Sequence, residues 1–156
     1  MQSLSYGLIT NAAGMAGAVA CAFTIDRIGR RPWFVGGLLI GGATLLVIWA
    51  VSPTPANVLL ALVSFGSFML SSVSISLNLY TPELYPTRIR AWASSIAGAW
   101  QRVAAFLGPI IVGYLVPAYG LGSVFLYFGG MAILGGVVSL LWATETKGQI
   151  VEELSP

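Results

Sequence analysis

Apolar residues run almost without interruption for about 20 positions at a time, a length that crosses one bilayer core. Five such runs follow one another, at roughly residues 5–25, 33–51, 57–79, 91–116 and 121–143. A helix rises 1.5 Å per residue, so each run is predicted as one membrane-spanning helix. The runs are apolar all round and about twice the ~10 residues of a barrel strand, which excludes a small barrel. The separators at 26–32, 52–56, 80–90 and 117–120 read as turns at the membrane surface, and 144–156 as a polar tail. Pro53, Pro55, Pro82, Pro86 and Pro117 mark helix boundaries, because proline lacks an N–H and restricts the residue before it. Pro109, inside the fourth run, predicts a kink. The expected fold class is all-α: a polytopic membrane helical bundle of five transmembrane helices.

Composition agrees with that pattern. The chain is 57% hydrophobic and 8% charged, whereas a soluble domain carries roughly 25% charged residues. Its apolar surface must face lipid. Pairs of small residues, Gly37 with Gly41, Gly14 with Ala18 and Ala132 with Gly136, would let helix backbones approach closely. One cysteine, Cys21, leaves no internal disulfide framework, and the absence of histidine removes His-based catalysis and His-ligated metal. No acidic residue falls inside a span. Neither an enzyme nor a cofactor is expected. The net charge of +2 is small and scattered, so no nucleic-acid partner is expected. The N-terminus shows no basic stretch and no small-residue cleavage site, so no signal peptide is read there.

The charges are sorted to one side. Asp26, Arg27, Arg30 and Arg31 sit between the first two spans, Glu83, Arg88 and Arg90 between the third and fourth, and Glu145, Lys147, Glu152 and Glu153 in the tail. The other two separators are uncharged. By the positive-inside rule the charged side is cytoplasmic, which puts the N-terminus outside and the C-terminus inside. The expected location is a multi-pass protein of the plasma or inner membrane.

Two charged stretches offer mechanism. In Asp26-Arg27-Ile28-Gly29-Arg30-Arg31, glycine permits a tight hairpin. The arginines can bind carboxylates or helix C-terminal carbonyls, and Asp26 can pair with an arginine across the bundle. In Pro82–Arg90, two prolines stiffen the turn, and Glu83 offers a carboxylate to the arginines of the first loop. Arg88 and Arg90 lie at the start of a helix, where the dipole disfavours cations, so they need acidic partners or lipid phosphates. Such a cluster is either a cytoplasmic gate that breaks when that face opens or ordinary anchoring at the membrane surface.

These stretches carry a resemblance. D-R-I-G-R-R after one span, P-E-L-Y-P-T-R-I-R two spans later and Glu145-Thr146-Lys147-Gly148 after the last span resemble, in that order, the C-terminal half of major facilitator superfamily transporters. The likeness is strongest to the sugar-porter branch and its niacin and organic-acid relatives, the metabolite–proton symporters. It aligns the chain with spans eight to twelve of a twelve-span protein, and so implies seven further spans on the N-terminal side. Ala22 stands where the family often has glycine, and Thr144 where sugar porters usually have proline. The resemblance implies secondary, alternating-access transport of a small organic solute, an organic anion or a sugar-like metabolite, with possible coupling to protons. A truncated, non-transporting membrane fragment or interaction protein is the alternative.

Arg102 is the one charge within a predicted span. It lies about 18 Å along the helix from Arg90, near mid-membrane. A charge there costs at least about 2.5–3.5 kcal/mol and faces a cavity or a partner. Its guanidinium suits a carboxylate held by two hydrogen bonds, and some organic-anion transporters of the superfamily place an arginine similarly. The other reading is a structural pair with a buried acid from outside this chain. Trp100 and Gln101 beside it, Asn78 on the third span and Asn11 on the first are further candidates for substrate contact. Ser64, Ser67, Ser71, Ser72, Ser74 and Ser76 make the third span partly polar, and Tyr6 and Tyr127 could stack on an aromatic substrate.

Overall fold

A computed structural model describes residues 2–51, 55–83, 85 and 87–143. The described residues form helices α1 (Gln2–Ile28), α2 (Arg30–Ala50), α3 (Ala56–Glu83), α4 (Thr87–Tyr119) and α5 (Leu121–Trp142). All five are long and apolar enough to cross a membrane. In lipid, every backbone N–H and C=O needs an internal partner, and a continuous helix supplies it. The helices alternate in direction and leave Asp26, the arginine pair Arg30–Arg31, and Arg88 and Arg90 at one end. This is the charged end. Exposed Trp92 and Trp142 sit towards it, and Tyr6, Trp49 and Tyr119 towards the other. Aromatic rings at both ends match the two interfaces of a bilayer.

The helices run further than the apolar runs, and two connections shrink to one residue. The turn expected over 26–32 is Gly29 alone. Its φ of 108° is a backbone state that costs glycine little. Its N–H donates to the Ile25 carbonyl at 2.9 Å and closes α1, and its carbonyl accepts from the Trp33 N–H at 3.4 Å and opens α2. Gly120, at φ 79°, does the same between α4 and α5. Its N–H donates to Val116 at 3.0 Å, and its carbonyl accepts the Ser123 hydroxyl at 2.7 Å. Pro82 and Pro117 lie inside the last turns of α3 and α4 rather than beyond them. A proline there removes one hydrogen bond near an end where several carbonyls already lack helical donors.

Small residues set the helix contacts. On α1, a Cβ added to Gly14 would come within 2.8 Å of Ser71 Oγ, and one on Gly17 would run into the Phe68 carbonyl. On α2, a Cβ on Gly37 would meet Val73 at 2.5 Å, and one on Gly41 would meet Leu70 at 2.9 Å, both on α3. On its other side α2 meets α5 backbone to backbone. Added Cβ atoms on Gly42 and Gly129 would stand 3.0 and 3.1 Å from each other's carbonyl oxygens. Helices α1, α3, α2 and α5 thus form a tightly packed row, and α4 leans more lightly on α3 and α5. The buried core is small. Most of it lies where α1, α2 and α3 converge near the charged end, with Cys21, Ile25, Val35, Ser72, Val73, Ser76 and Tyr80, while Thr44 and Ile48 are buried further along α2 and Ala93 on α4. Most large apolar side chains point outward, as a lipid-facing surface requires.

Candidate functional site

A polar groove opens between α1 and α3 halfway along both helices. Thr10, Asn11, Gly14, Met15 and Ala18 face Ser67, Ser71, Ser74 and Ile75 across a cavity of about 450 Å³. The sequence explains the alignment. Positions three and four apart share a helix face, and Ser67, Ser71, Ser74 and Asn78 follow that spacing on α3. Gly14 lets Ser71 approach. The groove's own polar atoms are partly satisfied by the helices that carry them. Thr10 Oγ1 donates to Gly7 O at 3.0 Å, and Asn11 Nδ2 to Gly7 O at 2.8 Å. Asn11 Oδ1 has no donor among the described residues, so this acceptor is available to a ligand.

One turn towards the charged end, the polar strip crosses to α4. Asn78 Nδ2 donates to Ser74 O at 3.1 Å, and Asn78 Oδ1 accepts from Gln101 Nε2 at 3.5 Å, the long end of the range. Pro82 has no N–H to give the Asn78 carbonyl, which adds a backbone acceptor at the same place. Two candidates 23 positions apart in sequence therefore meet.

Arg102 sits midway along the 33-residue α4, about 23 Å from its start. It is exposed, and among the described residues no carboxylate pairs with it. Its neighbours do not share its direction. Consecutive helical residues point about 100° apart, so with Gln101 turned to Asn78, Trp100 and Arg102 flank it on opposite sides. Trp100 is 69% exposed. The sequence grouping of Trp100, Gln101 and Arg102 around one ligand therefore separates: Gln101 is joined to Asn78, and Asn11 belongs to the neighbouring groove. Tyr6 lines a smaller, mostly apolar cavity with Leu59, Leu60 and Val63. Tyr127, on α5, stands edge-on to Phe128.

At the charged end, Asp26 pairs with Arg30 at 2.8 Å, across Gly29 and within one hairpin. Among the described residues Asp26 pairs within its own hairpin rather than across the bundle, because the one-residue turn brings Arg30 within reach. Arg31 Nη2 donates to Leu140 O at 2.7 Å and ties α2 to the last turn of α5. Cations are favoured there by the helix dipole and the free carbonyls. The sequence offered helix C-terminal carbonyls as partners for the arginines of this loop, and the structure shows which helix supplies one. Arg90 Nε donates to Tyr85 O at 3.4 Å. Arg27 and Arg88 are exposed. Glu83 ends α3, but its side chain, like Glu145, lies outside the described residues, so their part in a gate is not seen.

Comparison with known proteins follows the same lines. Residues 2–156 match the family model described as sugar (and other) transporter. Over 158 residues, covering 99% of this chain and 35% of the relative, the chain is 30% identical to the niacin transporter NiaP of Acinetobacter baylyi. It is 32% identical to the inner membrane metabolite transport protein YdjE of Escherichia coli, with 89% of this chain and 30% of the relative covered. It is 31% identical to the cis,cis-muconate transport protein of Acinetobacter baylyi, with 92% and 34% covered. The chain thus spans about a third of the length of these curated relatives. With five membrane-spanning helices, the three charged motifs and this match over its length, the chain belongs to the sugar (and other) transporter family of the major facilitator superfamily.

Proposed function

We propose that the chain forms spans eight to twelve of a secondary transporter that carries a small organic acid by alternating access. The observation that carries this reading is the polar groove of Asn11 and the α3 serines halfway along α1 and α3, continued towards the charged end by Asn78 and Gln101, together with Arg102 midway along α4. Transporter substrate sites lie near the midplane, where a buried charge needs a function or a partner. Arg102 can hold a carboxylate by two hydrogen bonds. Niacin and cis,cis-muconate, named for two relatives, are both carboxylic acids. Seven spans supplied from the N-terminal side complete the path. The charged end faces the cytoplasm of a cell membrane, where Asp26, Arg27, Gly29, Arg30 and Arg31 form a gate with Glu83, Arg88, Arg90 and Glu145. Coupling to protons would use a carboxylate outside this chain's spans.

Binding and stability together test the role of Arg102. In the transporter that carries this chain, Arg102→Lys should weaken carboxylate binding strongly, because lysine cannot reproduce the planar fork. Arg102→Ala should nearly abolish it while sparing a neutral analogue and thermal stability in detergent. A structural ion pair would show itself differently, since removing the arginine would strand a buried acid at about 3–5 kcal/mol. A variant that melts early would favour that pair, and normal carboxylate affinity in a stable Arg102→Ala protein would refute the substrate role.

A further inference from the structure

The polar groove between α1 and α3 does not end at Thr10. The same residue lines a second cavity, of about 270 Å³, between the uncharged ends of the two helices. There the walls turn apolar: Tyr6 and Gly7 on α1 face Ala56, Leu59, Leu60 and Val63 on α3. A Cβ on Gly7 would meet nothing within 4 Å, so the space beside it is open. Along α3, Val63, Ser67, Ser71, Ser74 and Asn78 advance by three or four positions and share one face. That face is apolar at Val63 and polar from Ser67 onward, so the two cavities form one path whose character changes at Thr10.

The volume suits a ring, since an apolar cavity of about 150 Å³ already holds benzene. Thr10 and Asn11 lie about 6–7.5 Å along the helix from Tyr6, so a ring beside Tyr6 brings a carboxyl group on it to their level. Asn11 Nδ2 gives one N–H to Gly7 O, and no described residue takes its second. We propose that the apolar cavity is a subsite for the ring of an aromatic carboxylic acid, occupied before the carboxylate reaches Arg102. This rests on the reading of the α1–α3 groove as the solute's path, and it narrows the solute from organic acids to aromatic ones. A sugar would leave hydroxyls without partners against Leu60 and Val63. A short aliphatic acid would leave the cavity unfilled, and an acyl chain would gain nothing from the polar groove beyond Thr10.

The test compares labelled benzoate with labelled propionate in uptake by the full transporter in liposomes. Wild type should show a KM for benzoate about tenfold below that for propionate, the scale on which apolar pockets discriminate. Gly7→Leu fills the cavity and Tyr6→Ala removes its aromatic wall. Each should raise the benzoate KM about tenfold and leave that of propionate nearly unchanged. A second readout needs no transport. In detergent and a Cys21→Ala background, Leu60→Cys should react with a maleimide, and benzoate but not propionate should slow that reaction several-fold. If Gly7→Leu fails to accumulate, Tyr6→Ala and the labelling still decide. Equal KM values in wild type, a benzoate preference that survives both variants, or equal protection by the two acids would overturn the proposal. If both acids enter alike and Arg102→Ala stops both, the ring subsite falls and the acid path stands. A benzoate preference with normal uptake in Arg102→Ala would keep the subsite and remove the arginine's role. Uptake of neither acid would overturn both.

Discussion

Gly17 has no room for a side chain: a Cβ there would strike the Phe68 carbonyl on α3. Backbone this close lets Cα–H groups meet carbonyl oxygens and gathers dispersion contacts that lipid cannot replace. Gly17→Ala should therefore destabilise by about 1–3 kcal/mol, the usual cost of overpacking. Gly7→Ala and Gly98→Ala, where an added Cβ meets nothing within 4 Å, should be neutral or slightly stabilising. Thermal unfolding of the three variants in detergent checks the contrast, and equal melting of all three would contradict it. The close pairs were only partly legible. The spacing of Gly37 and Gly41 marked a contact face, but Gly42 has leucines four positions away on both sides, and the roles of Gly17 and Gly42 follow from where Phe68 and Gly129 come to lie. The meeting of Asn78 and Gln101 was hidden for the same reason. Each residue was visible as a polar group in an apolar run, but their proximity depends on how α3 and α4 pack.

At the scale of elements, the hairpins are tighter than hydropathy suggested. A hydropathy run marks the part of a helix in hydrocarbon, while helical hydrogen bonding continues through Asp26, Arg27 and Arg30–Pro32 into the polar layer. Glycine then needs only one residue to reverse the chain, and this puts Asp26 and Arg30 in contact. The pair staples α1 to α2, and the Arg31 clasp staples α2 to α5. If these contacts help the charged end open and close, Asp26→Asn or Arg30→Ala should slow turnover several-fold and change solute affinity little. Surface pairs contribute only about 0–1 kcal/mol of stability, so the folded protein should persist. Unchanged transport rates at normal surface expression would leave the hairpin with an anchoring role only.

Over the whole molecule, the count and order of the helices were legible because five apolar runs of membrane length leave few other solutions. Their packing was not, since every face of each run is apolar and periodicity cannot say which face meets a neighbour. Orientation can be tested directly. In a Cys21→Ala background, cysteines at Ala56 and Gly120 should label from outside intact cells and one at Gly148 should not, and outside labelling of Gly148 would reverse the topology. The light packing of α4 fits a helix that meets further spans, and it carries Gln101 and Arg102 at mid-depth. The proposed role of these residues is to line the path of a small organic acid. Its most direct test is uptake of a labelled carboxylate by the full transporter in liposomes, wild type against Arg102→Ala, with a neutral analogue alongside. Wild type should take up the acid and the variant little or none, and both should handle the neutral analogue alike. Equal carboxylate uptake by wild type and Arg102→Ala would contradict it.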